Sequence, residues 1–586
     1  MDTNSPPPVM VEIKTQVGLA PIMRPGVHGG DNRGLAAGAM PGVAYGRYGP
    51  MFDTLLHGPV MPDEALRKLA QAMIKADVGV AINAADIADE NPTIPAGYTY
   101  FGQFIDHDVT FDPTPLGGEA NDIAGLVDFR SPALDLDNLY GRGPDDQPYM
   151  YDNVPPEARG IALRVGNEMD TISNPEISAT VGTRHDLFRI GDVPVLGDKR
   201  NDENKIVSQI HGAMIRFHNK VAADDALIAR FGGDASGAAG SQDSRFRAAA
   251  MIVRWHYQWV VVFDYLDRIC EPGTVAELLN QGGMPRLQNY IKAGASSAYM
   301  PIEFSGAAFR LGHSMVRPSY SLNHLVTKRL GDDGKTRIPT FDRDPDETKN
   351  LNGFPGTLPP HWGIDWGFFL DVPVAPAAVK EAMKVPQPSY RLDANLVAPL
   401  ADLPEFFGQT STPAQKLSLV GHLAFRNLKR GQMLGLPSGQ AVAHHLGILP
   451  LSDDILWDAG SRLLNEEVLT PDQLSDLQTT REARRDFRAT WVDGNGGQLK
   501  GHAPLWYYVL REAEYYGVTN DPNEPGVGFG GQHMGPIGSR IVAETLIGLL
   551  WLDKTSFIHD SRNFKPFLGK TPGKFTLADM MTYALA

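Results

Sequence analysis

The stretch from Tyr98 to Phe111, YTYFGQFIDHDVTF, constrains this chain more than any other. Phe101, Phe104 and Ile105 recur at helical spacing, which predicts a short, mostly buried helix. Gln103 and His107 lie four residues apart and share one face of it. Asp106 and Asp108 each stand one step from His107, about 100° to either side at 3.6 residues per turn. The two carboxylates therefore point in different directions and cannot serve one partner. A lone histidine in an aromatic helix is ordinarily a core residue satisfied by its neighbours. The flanking acids, and the residues that follow along the chain, favour a chemical role instead.

At 586 residues the chain has length for several domains or for one large core with elaborations. Its 42% apolar and 21% charged residues describe a folded protein. A net charge of −16 opposes electrostatic binding to nucleic acid or to an anionic membrane. The single cysteine, Cys270, excludes an intrachain disulfide, cysteine-type zinc and C-x-x-C-H haem attachment. Residues 1–23 lack the continuous apolar core of a signal peptide. Ile541 to Leu552 is too short to span a bilayer and carries Glu544. These features lead us to expect a soluble, cytoplasmic protein.

Residues 1–50, rich in Pro, Gly and Ala, read as an extended arm, followed by a body over 51–560 and a tail over 561–586. Helical patterns run from Glu64 to Met73, with Asp63 as a candidate cap, then through the His107 stretch to a stop at Pro113 and Pro115. Ser131, Ala133, Asp135 and Asp137 alternate, so in an extended loop their oxygens face one way. Hard oxygens converging in this manner suit calcium, and Asp108, turned away from the His107 face, could complete the cage. Residues 142–196 predict loops and a hairpin. Further helices are expected over 206–218, 246–269, a stretch carrying Glu303 to Pro318, 412–428, 453–468, 471–491, 504–516 and 538–553. The class is mainly α, one large helical domain with few short strands and long loops. Gly526, Gly528 and Gly531 match a dinucleotide fingerprint by letter, but no strand precedes them and the match reads as a loop.

These motifs together resemble the animal-type haem peroxidases of the peroxidase–cyclooxygenase superfamily. Gln103, Asp106, His107 and Asp108 resemble the family's distal-histidine motif. The segment Asp198, Arg200, Glu203 with Arg216, His218 and Asn219 resembles its distal-arginine segment and the following helix. Phe309, Arg310, Gly312 and His313 resemble the proximal-histidine motif, and Asn427, Arg430 and Gly431 the proximal asparagine segment. The acid loop falls where the family has its calcium loop. The resemblance runs from about residue 90 to about 555, in the family's order.

The resemblance implies haem b with His313 as axial iron ligand and Asn427 accepting the proton on the ring's other nitrogen. Arg310, with Arg430 nearby, would anchor that ring and a haem propionate. His107 would carry a proton between the oxygens of hydrogen peroxide, and Arg200 would stabilise the developing charge. Gln103 would hold pocket water or orient a halide. Asp106 and Glu203 fall where the family forms ester bonds to haem. Asn204 follows Glu203, so the sulfonium link that a methionine forms in some members has no counterpart. Calcium would be held by Asp108, Ser131, the Ala133 carbonyl, Asp135 and Asp137. The expected activity is peroxide reduction with oxidation of halides or small organic donors, with no nucleic-acid partner. Two alternatives stand beside it: a haem-dependent fatty-acid dioxygenase, disfavoured by Arg310 where a radical tyrosine would sit, and a calcium-binding structural protein without catalysis.

Overall fold

Eleven of the thirteen residues of the helix Gly97–Val109 are buried, and the two exceptions are Gln103 and Asp106. A helix apolar on nearly every side must be surrounded by other elements. Phe101 meets Tyr257 and Tyr265 edge-on at 6.0 and 5.9 Å, and Phe104 meets Tyr257 and His211 at 6.2 Å. The chain enters this helix from the strand Glu90–Pro95, which pairs antiparallel with Pro388–Tyr390. The helix stops where Thr110 turns extended; Pro113 and Pro115, expected to end it, lie outside the described residues. The computed structural model describes residues 46–75, 89–111, 127–155, 159–170, 184–237, 241–279, 285–291, 297–323, 337–346, 348–354, 356–372, 385–412, 419–457, 471–494, 496–517, 530–560 and 563–586.

Two long helices, Lys205–Ala222 and Gln242–Val260, pack beside the His107 helix and against each other. The second continues through one π-helical turn, Val261–Tyr265, into Leu266–Ile269. Such a turn inserts a residue and rotates the side chains after it, and here Tyr265 lines a cavity shared with His107 and His313. Asp264, in the same turn, is a junction. Its Oδ2 accepts from Tyr98 Oη at 2.6 Å and from Leu577 N at 2.8 Å, and its Oδ1 accepts from Arg268 Nε at 2.7 Å.

Leu577 opens the final helix, Leu577–Leu585, which a Thr576–Asp579 capping box starts. The end of the chain thus packs against the body. Leu577, Met580, Met581 and Ala584 form a buried helical stripe, and Phe217 of the neighbouring long helix meets Phe575 and Tyr583 at 6.3 and 5.5 Å. Gly46–Gly49 pairs parallel with Met300–Pro301 and antiparallel with Val127–Asp128, while residues 1–45 lie outside the described ones. This small sheet joins the approach to the acid loop with the approach to His313.

The helix expected through Glu303 to Pro318 is two short pieces, Ile302–Gly306 and a 3-10 turn Ala308–His313, separated at Ala307. The break lets Phe309 stack on Phe304 with centroids 4.4 Å apart. Residues five apart on a continuous α-helix point about 140° away from each other, so the stack requires the interruption. Glu303 is buried beneath it and accepts from the backbone N–H groups of Met51 and Phe52.

Smaller corrections concern boundaries. Asp63 lies in the first turn of Asp63–Ala72 rather than at its cap, which is Pro62. The helix bearing Asn427 is Leu423–Met433, begun by His422, whose side chain accepts from Phe425 N. Asp453–Trp457 is the described part of the helix expected to reach 468. Pro471–Phe487, Leu505–Tyr516 and Pro536–Leu552 fall where expected. The Gly526 loop lies outside the described residues save for Gly530 and Gly531. The fold is mainly α with short two- and three-stranded sheets. Among the described residues no helix is long and apolar enough to cross a membrane.

Because Asp264 satisfies a phenol on the His107 helix and an N–H of the last helix, Asp264→Ala strands two buried donors. A lost partner of this kind costs about 1–3 kcal/mol per group. We predict a thermal melt several degrees below wild type; an unchanged melting temperature would show that the junction carries no stability.

Candidate active site

His107 and His313 come from different elements but line one cavity of about 340 Å³, together with Gln103, Asp106, Glu203, Arg310 and Tyr265. Burial, aided by the Arg310 guanidinium, pushes the His313 imidazole down to about 3, so the ring is neutral and able to ligate. Its Nδ1 faces the Asn427 Nδ2 at 2.8 Å. Arg310 Nη1 donates to the Asn427 Oδ1 at 3.1 Å, and Arg310 Nε donates to the Ser305 carbonyl. The amide is thus turned the opposite way from the one in which Asn427 would accept a proton from the ring. Arg310 claims the amide oxygen, which leaves the NH₂ end for the histidine. Trp506 stands edge-on to the His313 ring at 6.5 Å and its Nε1 donates to the Arg310 carbonyl.

On the other side, the Asn201 Oδ1 lies 2.8 Å from His107 Nδ1. An amide oxygen can only accept, so Nδ1 carries the hydrogen. His107 Nε2 lies 3.2 Å from Glu203 Oε1, which also accepts from Gln103 Nε2 at 2.7 Å. Burial alone would raise the Glu203 carboxyl, but the His107 hydrogen bond and charge, Arg200 and Gln103 together hold it below its ordinary range. Gln103 and His107 thus share a face, as their spacing implies. Asn201 turns its other end to a second buried imidazole: Nδ2 lies 2.9 Å from His211 Nδ1. Burial pushes His211 down to about 3. Asn201 and His211 were not anticipated, since no local spacing links residues 107, 201 and 211.

Arg200 does not line the His107 cavity. Its Nη2 donates to the carbonyls of His107 and Thr110 at 3.2 and 2.6 Å and to Asp198 Oδ2 at 2.7 Å, and its Nε donates to Asp198 as well. The carbonyl-rich end of the His107 helix and the Asp198 carboxylate both attract a guanidinium. The side chain instead lines a second pocket of about 130 Å³ with Arg310 and Arg430. Asp106 and Arg310 border both spaces, so a cationic compartment adjoins the two-histidine cavity.

The acid cluster forms behind the helix. Asp108, Asp135 and Asp137 bring carboxylate oxygens within 4.8 Å of one another. Asp108 is fully buried; its Oδ2 accepts from Tyr257 Oη at 3.1 Å, and its Oδ1 has no hydrogen-bond partner among the described residues. Ser131 Oγ donates to Asp135 at 2.7 Å, and Arg130 Nη1 approaches Asp137 at 3.3 Å. Ala133 lies between them, its N–H donating to the Ser131 carbonyl. Burial pushes Asp137 up to about 7, with Arg130 opposing and Asp135 adding to the rise. Asp108 is raised for the same reasons, burial first and its acid neighbours next. Three crowded carboxylates in this state call for a proton or a cation.

Residues 130–354 match the family model described as "Animal haem peroxidase". That span contains the acid loop, Arg200, Glu203, Arg310 and His313; the His107 helix and Asn427 lie outside it. No curated protein matches the chain. Among solved structures it is similar to peroxidase A from Dictyostelium discoideum, with 15% identity over 90% of this chain and 89% of that one and a TM-score of 0.47. It is also similar to the fatty acid alpha-dioxygenases of Arabidopsis thaliana and Oryza sativa. Each is 13% identical over 90% of this chain, covering 75% and 79% of theirs, with TM-scores of 0.47 and 0.44. Over residues 130–354 this chain matches the animal haem peroxidase family, the resemblance its motifs carry.

Proposed function

We propose that this protein is a haem peroxidase: it reduces hydrogen peroxide at the two-histidine cavity and oxidises halides or small organic donors. The observation that carries this reading is one cavity lined both by a neutral, desolvated His313 and by His107, whose Nδ1 is held by Asn201 and whose Nε2 lies beside Glu203. The residues suit a flat, dianionic macrocycle. A Cβ placed on Gly312 would meet nothing within 4 Å, so the residue before His313 leaves the cavity clear. Arg310 and Arg430 border the adjoining cationic pocket, where propionates would find their charge partners. Haem bound there would supply an iron that takes peroxide as its ligand and accepts its oxidising equivalents.

The remaining chemistry belongs to the chain. His313 would ligate through Nε2, which requires the hydrogen on Nδ1 and hence a half-turn of the Asn427 amide from its present orientation. His107 Nε2 would take a proton from one peroxide oxygen and return it to the other, acting as general base and then general acid. Gln103 would hold water beside it. Asp106 and Glu203 both line the cavity and would be the carboxylates available for ester bonds to the macrocycle. Arg200 would serve from the neighbouring pocket by holding the end of the His107 helix. Calcium held by Asp108, Ser131, Ala133, Asp135 and Asp137 would neutralise the acid cluster and fix that helix from behind.

Two measurements test this. His313→Ala should abolish or grossly perturb the Soret band of protein produced with haem. His107→Ala should keep haem yet react with peroxide 10²–10⁴-fold more slowly, the usual worth of a general acid–base group. A normal Soret band in the first, or a loss within about threefold in the second, contradicts the assignment. For the cation, elemental analysis should find one calcium per chain, and chelation should lower the melting temperature of wild type but not of Asp135→Asn. Calcium-free protein with an unchanged melt would remove the cation from the account.

A further inference from the structure

The Asn201 carboxamide is clasped between two buried imidazoles, His107 at its oxygen and His211 at its nitrogen. Neither contact follows from the peroxidase chemistry proposed above, which needs only that His107 present a basic nitrogen to the cavity. Yet a neutral imidazole has two tautomers, and in one of them Nε2 carries the hydrogen and cannot act as a base. A carboxamide alone does not choose between them, because its two ends have nearly the same shape and opposite hydrogen-bonding character. Something must hold the amide one way round.

We propose that His211 and Asn201 are positioning residues that keep a hydrogen on His107 Nδ1, so that Nε2, which lies beside Glu203 Oε1 at 3.2 Å, is the nitrogen that gains and loses the catalytic proton. His211 Nδ1 acts as acceptor for the Asn201 NH₂, which points the amide oxygen at His107, and that oxygen accepts the His107 Nδ1–H. His211 plays this part with its hydrogen on Nε2, being buried on the helix Lys205–Ala222 and neutral. Burial and the nearby His107 keep its proton affinity low, against the pull of Asp198. Its ring is also packed edge-on against Phe104, one turn before His107, so the acceptor cannot swing away. Asn201 in turn is fully buried and lies within the 3-10 turn Lys199–Asp202. The chain Phe104–His211–Asn201–His107 closes on the same helix it starts from.

This inference rests on the peroxidase reading, and the experiment separates the two. Haem-loaded wild type, His211→Phe, His211→Gln and Asn201→Ala are mixed with hydrogen peroxide and, separately, with cyanide. Cyanide binds as hydrogen cyanide and must lose its proton to a base in the pocket, so it reports His107 without turnover. His211→Phe removes the acceptor while keeping a packed ring; His211→Gln restores an acceptor. We expect the second-order rates with both peroxide and cyanide to fall at least about tenfold in His211→Phe and Asn201→Ala. His211→Gln should stay within about threefold of wild type, and the Soret band should be unchanged throughout. In a His107→Ala background His211→Phe should cause no further loss, since it acts only through His107. Equal losses in Gln and Phe variants, or a further loss in the His107→Ala background, would reduce His211 to a packing residue and overturn the proposal. So would wild-type rates in His211→Phe. If His211→Phe yields no haem-bound protein, Asn201→Ala decides by the same criteria. Wild type that binds no haem would instead sink the peroxidase reading itself.

Discussion

One buried carboxylate, Asp198, ties together the parts on which the site depends. It accepts from Arg200 on one side and Arg130 on the other, and the two guanidiniums hold it far below the ordinary carboxylate range despite its burial. Arg200 passes the link on to the carbonyls of His107 and Thr110, and Arg130 passes it to Asp137 in the acid cluster. A buried ion pair is weak support for stability, because desolvation consumes much of the attraction. Its value here is geometric. Removing any one member would leave an uncompensated charge, so the helix end, the acid loop and the turn bearing Asn201 and Glu203 are held in one arrangement.

That arrangement explains how a single helix serves two environments. Burial on nearly all sides forces the His107 helix to give its few polar groups separate partners. Gln103 and Asp106 open to the cavity, Asp108 turns to the acid cluster, and His107 is bound by its Nδ1 to Asn201. Tyr98 at the other end is fixed by Asp264, which also accepts from the first N–H of the last helix. A histidine held this firmly loses little orientational freedom when it acts on a ligand, which is the condition for useful proton transfer.

What could be read from the sequence was whatever local spacing determines. The shared face of Gln103 and His107 and the divergence of Asp106 and Asp108 follow from one helical period. The long helices around Trp255 and Phe217 do so as well. Asp135 and Asp137, by contrast, meet Asp108 through a bent loop, with Leu136 left-handed and Asp137 opening a helical turn, and not through the expected extended alternation. Contacts between residues about a hundred positions apart were not legible. Arg200 was expected to face His107 and is instead drawn to helix-end carbonyls and Asp198. Asn427 was expected to accept from His313 and offers its NH₂, because Arg310 reaches its oxygen first. His211 gave no sign at all, being one more buried residue on an apolar helix whose partner is set only by tertiary packing. The stack of Phe304 on Phe309 broke a helix that periodicity alone would have continued.

We propose above all that His107 and His313, which line one cavity, serve a single haem site. A crystal structure of the haem-loaded protein tests it most directly. The account predicts density for a flat macrocycle in the two-histidine cavity, iron bonded to His313 Nε2, and propionates directed toward Arg310 and Arg430. Iron held by another residue, or a macrocycle lodged outside that cavity, would contradict it.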